Sequence, residues 1–135
     1  MDSTQVLLSD CSVLTDKFVL IVEDDTDLRQ TIQWMLEDEG FVVETAKDGR
    51  EALERATRRK PSLVLLDMGL PIIDGIGVAA GLRSAYGETV TILTMTADGR
   101  AAEKAQRIGA VGYLSKPFEL DALVSAVHHA LSHYR

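Results

Sequence analysis

Four short stretches of the chain end in side chains able to do chemistry. Glu23-Asp24-Asp25 follows the run FVLIV, Asp67 closes LVLLD, Thr96-Ala97 follows VTILTM, and Lys116-Pro117 comes just after VGYL. If those runs are neighbouring strands, three acids, a hydroxyl and an ammonium meet at one sheet edge. Clustered carboxylates repel one another, so without a cation their pKa values rise. A hard divalent ion with oxygen ligands relieves the repulsion, and a few protein ligands with open water positions suit Mg²⁺. The remaining positive charge suits one further anion, and a phosphoryl group fits. A carboxylate is a competent nucleophile towards phosphorus, giving an aspartyl phosphate. The metal, Lys116 and Thr96 would then neutralise charge on the equatorial oxygens. Taken singly, each residue has a plainer reading: a helix cap, a surface lysine, a β-former. The register of all of them together carries the argument.

The elements that must hold these residues are legible as period and punctuation. Apolar, β-rich runs occur at 18–22, 41–45, 63–67, 90–95 and 111–114, each bounded by turn residues, as expected of buried parallel strands. Helical patterns lie between them. In 27–39, Leu28, Ile32, Met35, Leu36 and Glu39 share a side before Gly40. In 50–59 the inner positions are Ala52, Leu53 and Ala56, ahead of Lys60-Pro61. The segment 75–84 is weakened by Gly75, Gly77 and Gly81, a fourth helix is expected over 99–108, and the last, 119–133, turns Leu120, Leu123, Val124, Val127 and Leu131 inward. Alternating strands and helices predict an α/β doubly wound, five-stranded parallel sheet with five helices and right-handed crossovers. Ligands of such sheets sit at the carboxyl ends of the strands. Residues 1–17 read as an N-terminal extension and 18–135 as the domain.

With 135 residues, 46% of them hydrophobic and 26% charged, the chain has the balance of one globular domain. Cys11 is the only cysteine, so no internal disulfide forms; with no secretory signal or membrane-length apolar run, a cytoplasmic protein is expected. The net charge of −7 repels polyanions, so no direct nucleic-acid binding and no membrane association are expected of this chain. The basic stretch Arg50–Lys60 reads as a solvated helix face. His128, His129 and His133 read as a solvated helix end whose partial positive charge suits the dipole, rather than as metal ligands.

The motifs VEDD (22–25), LLDMGLPIIDG (65–75), TMTA (94–97) and YLSKPF (113–118) resemble the response-regulator receiver family of two-component signalling, the CheY-like proteins, from about residue 18 to the C-terminus. The resemblance implies strand order 2-1-3-4-5 and a phosphoryl group accepted on Asp67. It implies Mg²⁺ held by Asp24 directly, Glu23 through water, Asp67 and the backbone carbonyl of Gly69. The spacing to Leu28-Arg29 aligns Glu23-Asp24, rather than Asp24-Asp25, with the family's acidic pair, leaving Asp25 as the next loop residue. Thr96 matches the switch hydroxyl, Lys116 the phosphate-binding lysine and Tyr113 the aromatic switch, and the Lys116–Pro117 bond is expected cis. The partners implied are a sensor histidine kinase or a histidine phosphotransfer protein, with an unidentified downstream target; a phosphorylation-dependent homodimer is also allowed. The domain would catalyse its own phosphorylation and dephosphorylation rather than turn over a substrate, and would signal through its fourth helix, fifth strand and fifth helix.

Several features depart from the family pattern. Glu stands at the first acidic position, Gly69 leaves no side chain two residues past Asp67, and Asp98 is acidic two residues past Thr96. Gly69 also argues against a phosphatase working through an aspartyl phosphate, which needs a second acid there to protonate the leaving group. GIGVAAG (75–81) does not directly follow a strand and its last glycine is one residue late, so a dinucleotide fingerprint is rejected. At 100° per residue, Asp27, Thr31, Trp34 and Asp38 form an outer stripe on the first helix. In the receivers this chain resembles, that helix packs beside the phosphodonor's helical bundle, so Trp34 and Thr31 are candidate docking residues. Met1 and the extension lead us to expect a stand-alone regulator or relay more than a piece of a larger one.

Overall fold

The computed structural model describes residues 18–70, 72–97 and 99–133, so the expected extension over 1–17 and Asp98 lie outside them, as does the side chain of His133. Five strands run β1 (Phe18–Val22), β2 (Val42–Ala46), β3 (Leu63–Asp67), β4 (Ile92–Thr96) and β5 (Gly112–Ser115). Five helices alternate with them: α1 (Thr26–Asp38), α2 (Gly49–Arg58), α3 (Gly75–Tyr86), α4 (Ala101–Ile108) and α5 (Leu120–His133). All strand pairs are parallel, in the order β2-β1-β3-β4-β5. This is the flavodoxin-like doubly wound order, with its switch point between β1 and β3.

Successive residues of the central strands feed opposite layers, as a period of two requires. Leu20, Val22, Val64, Leu66 and Ile92 pack with Ala52 and Ala56 of α2, Val78 and Leu82 of α3, and Ile108 at the end of α4. Val19, Ile21, Leu65, Leu93 and Met95 pack with Ile32 and Leu36 of α1 and with Leu123, Val127 and Leu131 of α5.

Not all five strands are buried, as had been expected from their composition. β2 and β5 are the sheet's edges, and their side chains are mostly half-buried or exposed. Composition reports apolarity, but edge position is a property of topology. The boundaries differ slightly as well. A 3₁₀ turn at Gly87–Thr89 delays β4 to Ile92, and the pairs Asp67↔Met95 and Thr96↔Ser115 prolong it, making Thr96 its last residue. In α5, Ala130 is buried, whereas Leu120 and Val124 are only half-buried.

The glycines of α3 reflect close packing. A Cβ on Gly75 would lie 2.6 Å from Met68 Cα, and one on Gly81 would lie 2.7 Å from Leu53 Cδ2 of α2. Asp25, Asp48 and Asp74 cap α1, α2 and α3, each accepting a backbone N–H three residues on. The stretch Arg50–Lys60 is more than a solvated face. Arg55 pairs with Glu44 of β2 at 3.6 Å, the Arg59 guanidinium lies 4.5 Å from the centre of the Phe18 ring, and Lys60 lies 5.7 Å from that of Tyr86. His128 likewise does structural work, with Nε2 3.2 Å from Glu39 Oε1 and its ring against Phe41.

The loop from β3 to α3 closes on itself through the Gly75 amide, which donates to Met68 O at 3.3 Å. At its tip Ile72 has φ +70°, the one non-glycine with positive φ among the described residues, and 77% of it is exposed. A left-handed backbone costs an L-residue about 1–2 kcal/mol, and a β-branched one is least suited to it.

Candidate phosphoryl-acceptor site

Glu23, Asp67 and Thr96 are buried where β1, β3 and β4 end; Asp24 beside them is exposed, and Lys116 follows β5. Parallel strands in register bring these four ends together. β1 hands over to Glu23 through its amide, which donates to Ala46 O at 3.1 Å, and Arg29 reaches back from α1 to donate to the Glu23 carbonyl at 2.9 Å. The β4–β5 ladder continues through the Lys116 amide, which donates to Thr96 O at 2.8 Å, and the Lys116–Pro117 bond is cis.

Oxygens of Glu23, Asp24 and Asp67 all lie within 4.8 Å of one another. Lys116 Nζ sits 2.7 Å from Glu23 Oε1 and 3.4 Å from Asp67 Oδ2. The other Glu23 oxygen accepts from the Asp25 amide at 3.1 Å, and Asp67 Oδ1 accepts from the Gly69 amide at 3.1 Å. Burial pushes the Glu23 carboxyl from its ordinary 4.5 up to about 7, against the pull of Lys116 and the Asp25 amide; the Asp67 charge adds to the rise. Burial alone would lower Lys116, but its hydrogen bond to Glu23 and the charge of Asp67 outweigh burial and hold it above its usual value. The lysine therefore carries a firm positive charge beside a Glu23 carboxyl that burial makes reluctant to ionise. Three oxygen donors with an excess of negative charge fit a hard divalent cation.

Two other expected residues face outward. Tyr113 is 49% exposed on β5 and Trp34 62% exposed on α1, whereas Thr31 is half-buried and donates its hydroxyl to Asp27 O. Asp25, read as a loop residue, is the α1 cap, and its spacing of three to Leu28 was the available signal. Nothing in a single sequence signals the bond from Arg29 to the Glu23 carbonyl. A side chain at position 69 would start 3.9 Å from Asp67 Oδ1, so Gly69 leaves the approach to that carboxylate open.

A family model described as the response regulator receiver domain matches residues 19–128. The transcriptional regulatory protein PdtaR of Mycobacterium tuberculosis is 36% identical over 128 residues, covering 94% of this chain and 62% of that protein. The response regulator MprA of Mycolicibacterium vanbaalenii is 37% identical over 115 residues, covering 84% of this chain and 49% of that protein. The chain thus spans roughly half to three fifths of these relatives' lengths. Among solved structures, the response regulator TrrA of Thermotoga maritima, in complex with Mg²⁺ and BeF, superposes with a TM-score of 0.76 at 30% identity, covering 84% of this chain and 98% of that one.

Proposed function

The chain belongs to the response-regulator receiver family of two-component signalling, and from that premise we propose that Asp67 is its phosphoryl acceptor. The observation that carries this is the convergence of Glu23, Asp24 and Asp67 with Lys116 2.7 Å from one carboxylate and 3.4 Å from another. Mg²⁺, held by Asp24, Asp67, the Gly69 carbonyl and, through water, Glu23, would supply neutralisation of the incoming phosphoryl charge. The exposure of Asp24 and the engagement of both Glu23 oxygens favour that division of labour.

An Asp67 carboxylate oxygen attacks phosphorus while the bond from phosphorus to the donor's nitrogen or oxygen breaks, and the leaving group takes the electron pair. Lys116 turns from Asp67 towards a phosphoryl oxygen, and the Thr96 hydroxyl donates to another. Hydrolysis of the aspartyl phosphate resets the domain, so it modifies itself and does not turn over a substrate. The donors are a sensor histidine kinase or a phosphotransfer protein, and Trp34 with Thr31 on the outer face of α1 would take part in docking them. Thr96 moving towards phosphate, with Tyr113 turning inward, would re-pose the α4-β5-α5 face for a downstream partner or a second copy.

Acetyl phosphate with Mg²⁺ is expected to label Asp67 alone, with Asp67→Asn unlabelled and a chelator abolishing the reaction. Labelling of Asp67→Asn at the parent's level would overturn the assignment. Longer relatives make the output a separate matter, and the mass of the protein in its own cells distinguishes signalling by docking from signalling through an attached domain.

A further inference from the structure

Ile72, at the tip of the β3–α3 loop, belongs to neither apolar cluster of the described residues. Ile72 holds a left-handed backbone that glycine or asparagine adopts at little cost, and with 77% of it exposed it gains little from burial in return. Its neighbour Ile73 is the residue that packs against the core. Strain of this kind persists where a function outside the fold's own packing rewards it.

The tip's position says what that function is. The loop returns to Met68 through the Gly75 amide, so Ile72 is four residues from Met68 and lies within about 14 Å of it. A protein contact of ordinary size covers about 800 Å² per partner, a disc of about 16 Å radius. Ile72 is five residues from Asp67, at most about 18 Å of extended chain, and the folded loop brings it nearer, so a protein seated over Asp67 reaches the tip. The same edge carries exposed carboxylates on Asp24, Asp25, Asp27 and Asp74, so the complementary surface is an apolar pocket with a basic border.

We propose that Ile72 is an apolar anchor for the protein phosphodonor, retained at a cost in backbone strain; this rests on Asp67 being the acceptor. Small donors need no such contact. The test compares Ile72→Asn, which suits the left-handed backbone, with Ile72→Leu, which keeps the apolar bulk. The protein donor is the autophosphorylated histidine kinase of the same genome that labels the parent chain fastest, and the small donor is acetyl phosphate. Ile72→Asn should melt about 2–6 °C higher than the parent, keep its labelling by acetyl phosphate, and lose about ten-fold or more of its transfer rate from the kinase. Ile72→Leu should keep kinase transfer within about three-fold of the parent. The gain in stability separates lost docking from damaged folding. Kinase transfer at the parent's rate in Ile72→Asn overturns the proposal, as does an equal loss with both donors. Failure of acetyl phosphate to label Asp67 in the parent would instead overturn the acceptor assignment on which it rests.

Discussion

At the scale of single residues, the site is a balance between one ammonium and a set of crowded carboxylates. Lys116, through Nζ, places positive charge 2.7 Å from the Glu23 carboxylate and 3.4 Å from that of Asp67. Replacing it with methionine should slow labelling by acetyl phosphate about ten-fold or more, because an oxyanion would form without its nearest fixed cation. Labelling of Lys116→Met within two-fold of the parent would remove the lysine from the chemistry. Gly69 governs the reverse step. A methionine there would start 3.9 Å from Asp67 Oδ1 and cover the line along which water approaches the phosphoryl group. Gly69→Met should therefore still be labelled, but should release phosphate about three-fold or more slowly, which a time course of label loss after removal of acetyl phosphate would read. Faster loss would mean that position 69 does not screen water.

At the scale of elements, caps and close approaches decide what the sequence pattern leaves open. The glycines of α3 look alike in sequence but differ in place. Gly75 faces the backbone of Met68, which cannot move without dragging the adjoining Asp67, so Gly75→Ala should cost about 1–3 kcal/mol. Gly81 faces the end of the Leu53 side chain, which is able to turn, and alanine gains about 1 kcal/mol in helix propensity. Gly81→Ala should therefore fall within about 1 kcal/mol of the parent, and urea midpoints of the two variants would expose any inversion of that order. The elements themselves were legible because a period of two or of 3.6 survives in one sequence, as do the acids, hydroxyl and lysine at the strand ends. Edge burial in β2 and β5, the contacts of Arg59 and His128, and the left-handed turn at Ile72 were not legible. They depend on which elements become neighbours, and nothing in Leu70-Pro71-Ile72-Ile73 signals a positive φ. The site residues stand together because parallel register converts strand endings into a shared edge.

At the scale of the whole molecule, the question is how an event at Asp67 reaches the α4-β5-α5 face. The C-terminal end of α4 is tied down by a side chain of the neighbouring helix. At its C-terminus, Arg83 of α3 donates through Nη2 to the carbonyls of Ile108 and Gly109 at 3.2 and 2.8 Å, and through Nη1 to those of Gly87 and Val90 at 3.2 and 2.7 Å. One guanidinium thus satisfies carbonyls that the helix end leaves over and ties them to the turn before β4. At its N-terminus Arg100 stands after the Gly99 turn, close in sequence to Thr96, and no side-chain cap is found there among the described residues. A displacement begun by Thr96 should therefore swing α4 about the end that Arg83 holds. With Mg²⁺ and beryllofluoride as the phosphoryl mimic, amide shift changes should be larger over Ala101–Lys104 than over Gln106–Gly109, and Tyr113 should respond with the former. Arg83→Met should erase that gradient by freeing the far end, while the labelling rate at Asp67 stays within about two-fold of the parent, since Arg83 reaches no residue of the acceptor site. A gradient that survives in Arg83→Met would show that packing alone holds the end of α4. Equal changes along the parent's helix would mean that α4 shifts as a rigid body, with no pivot at Arg83.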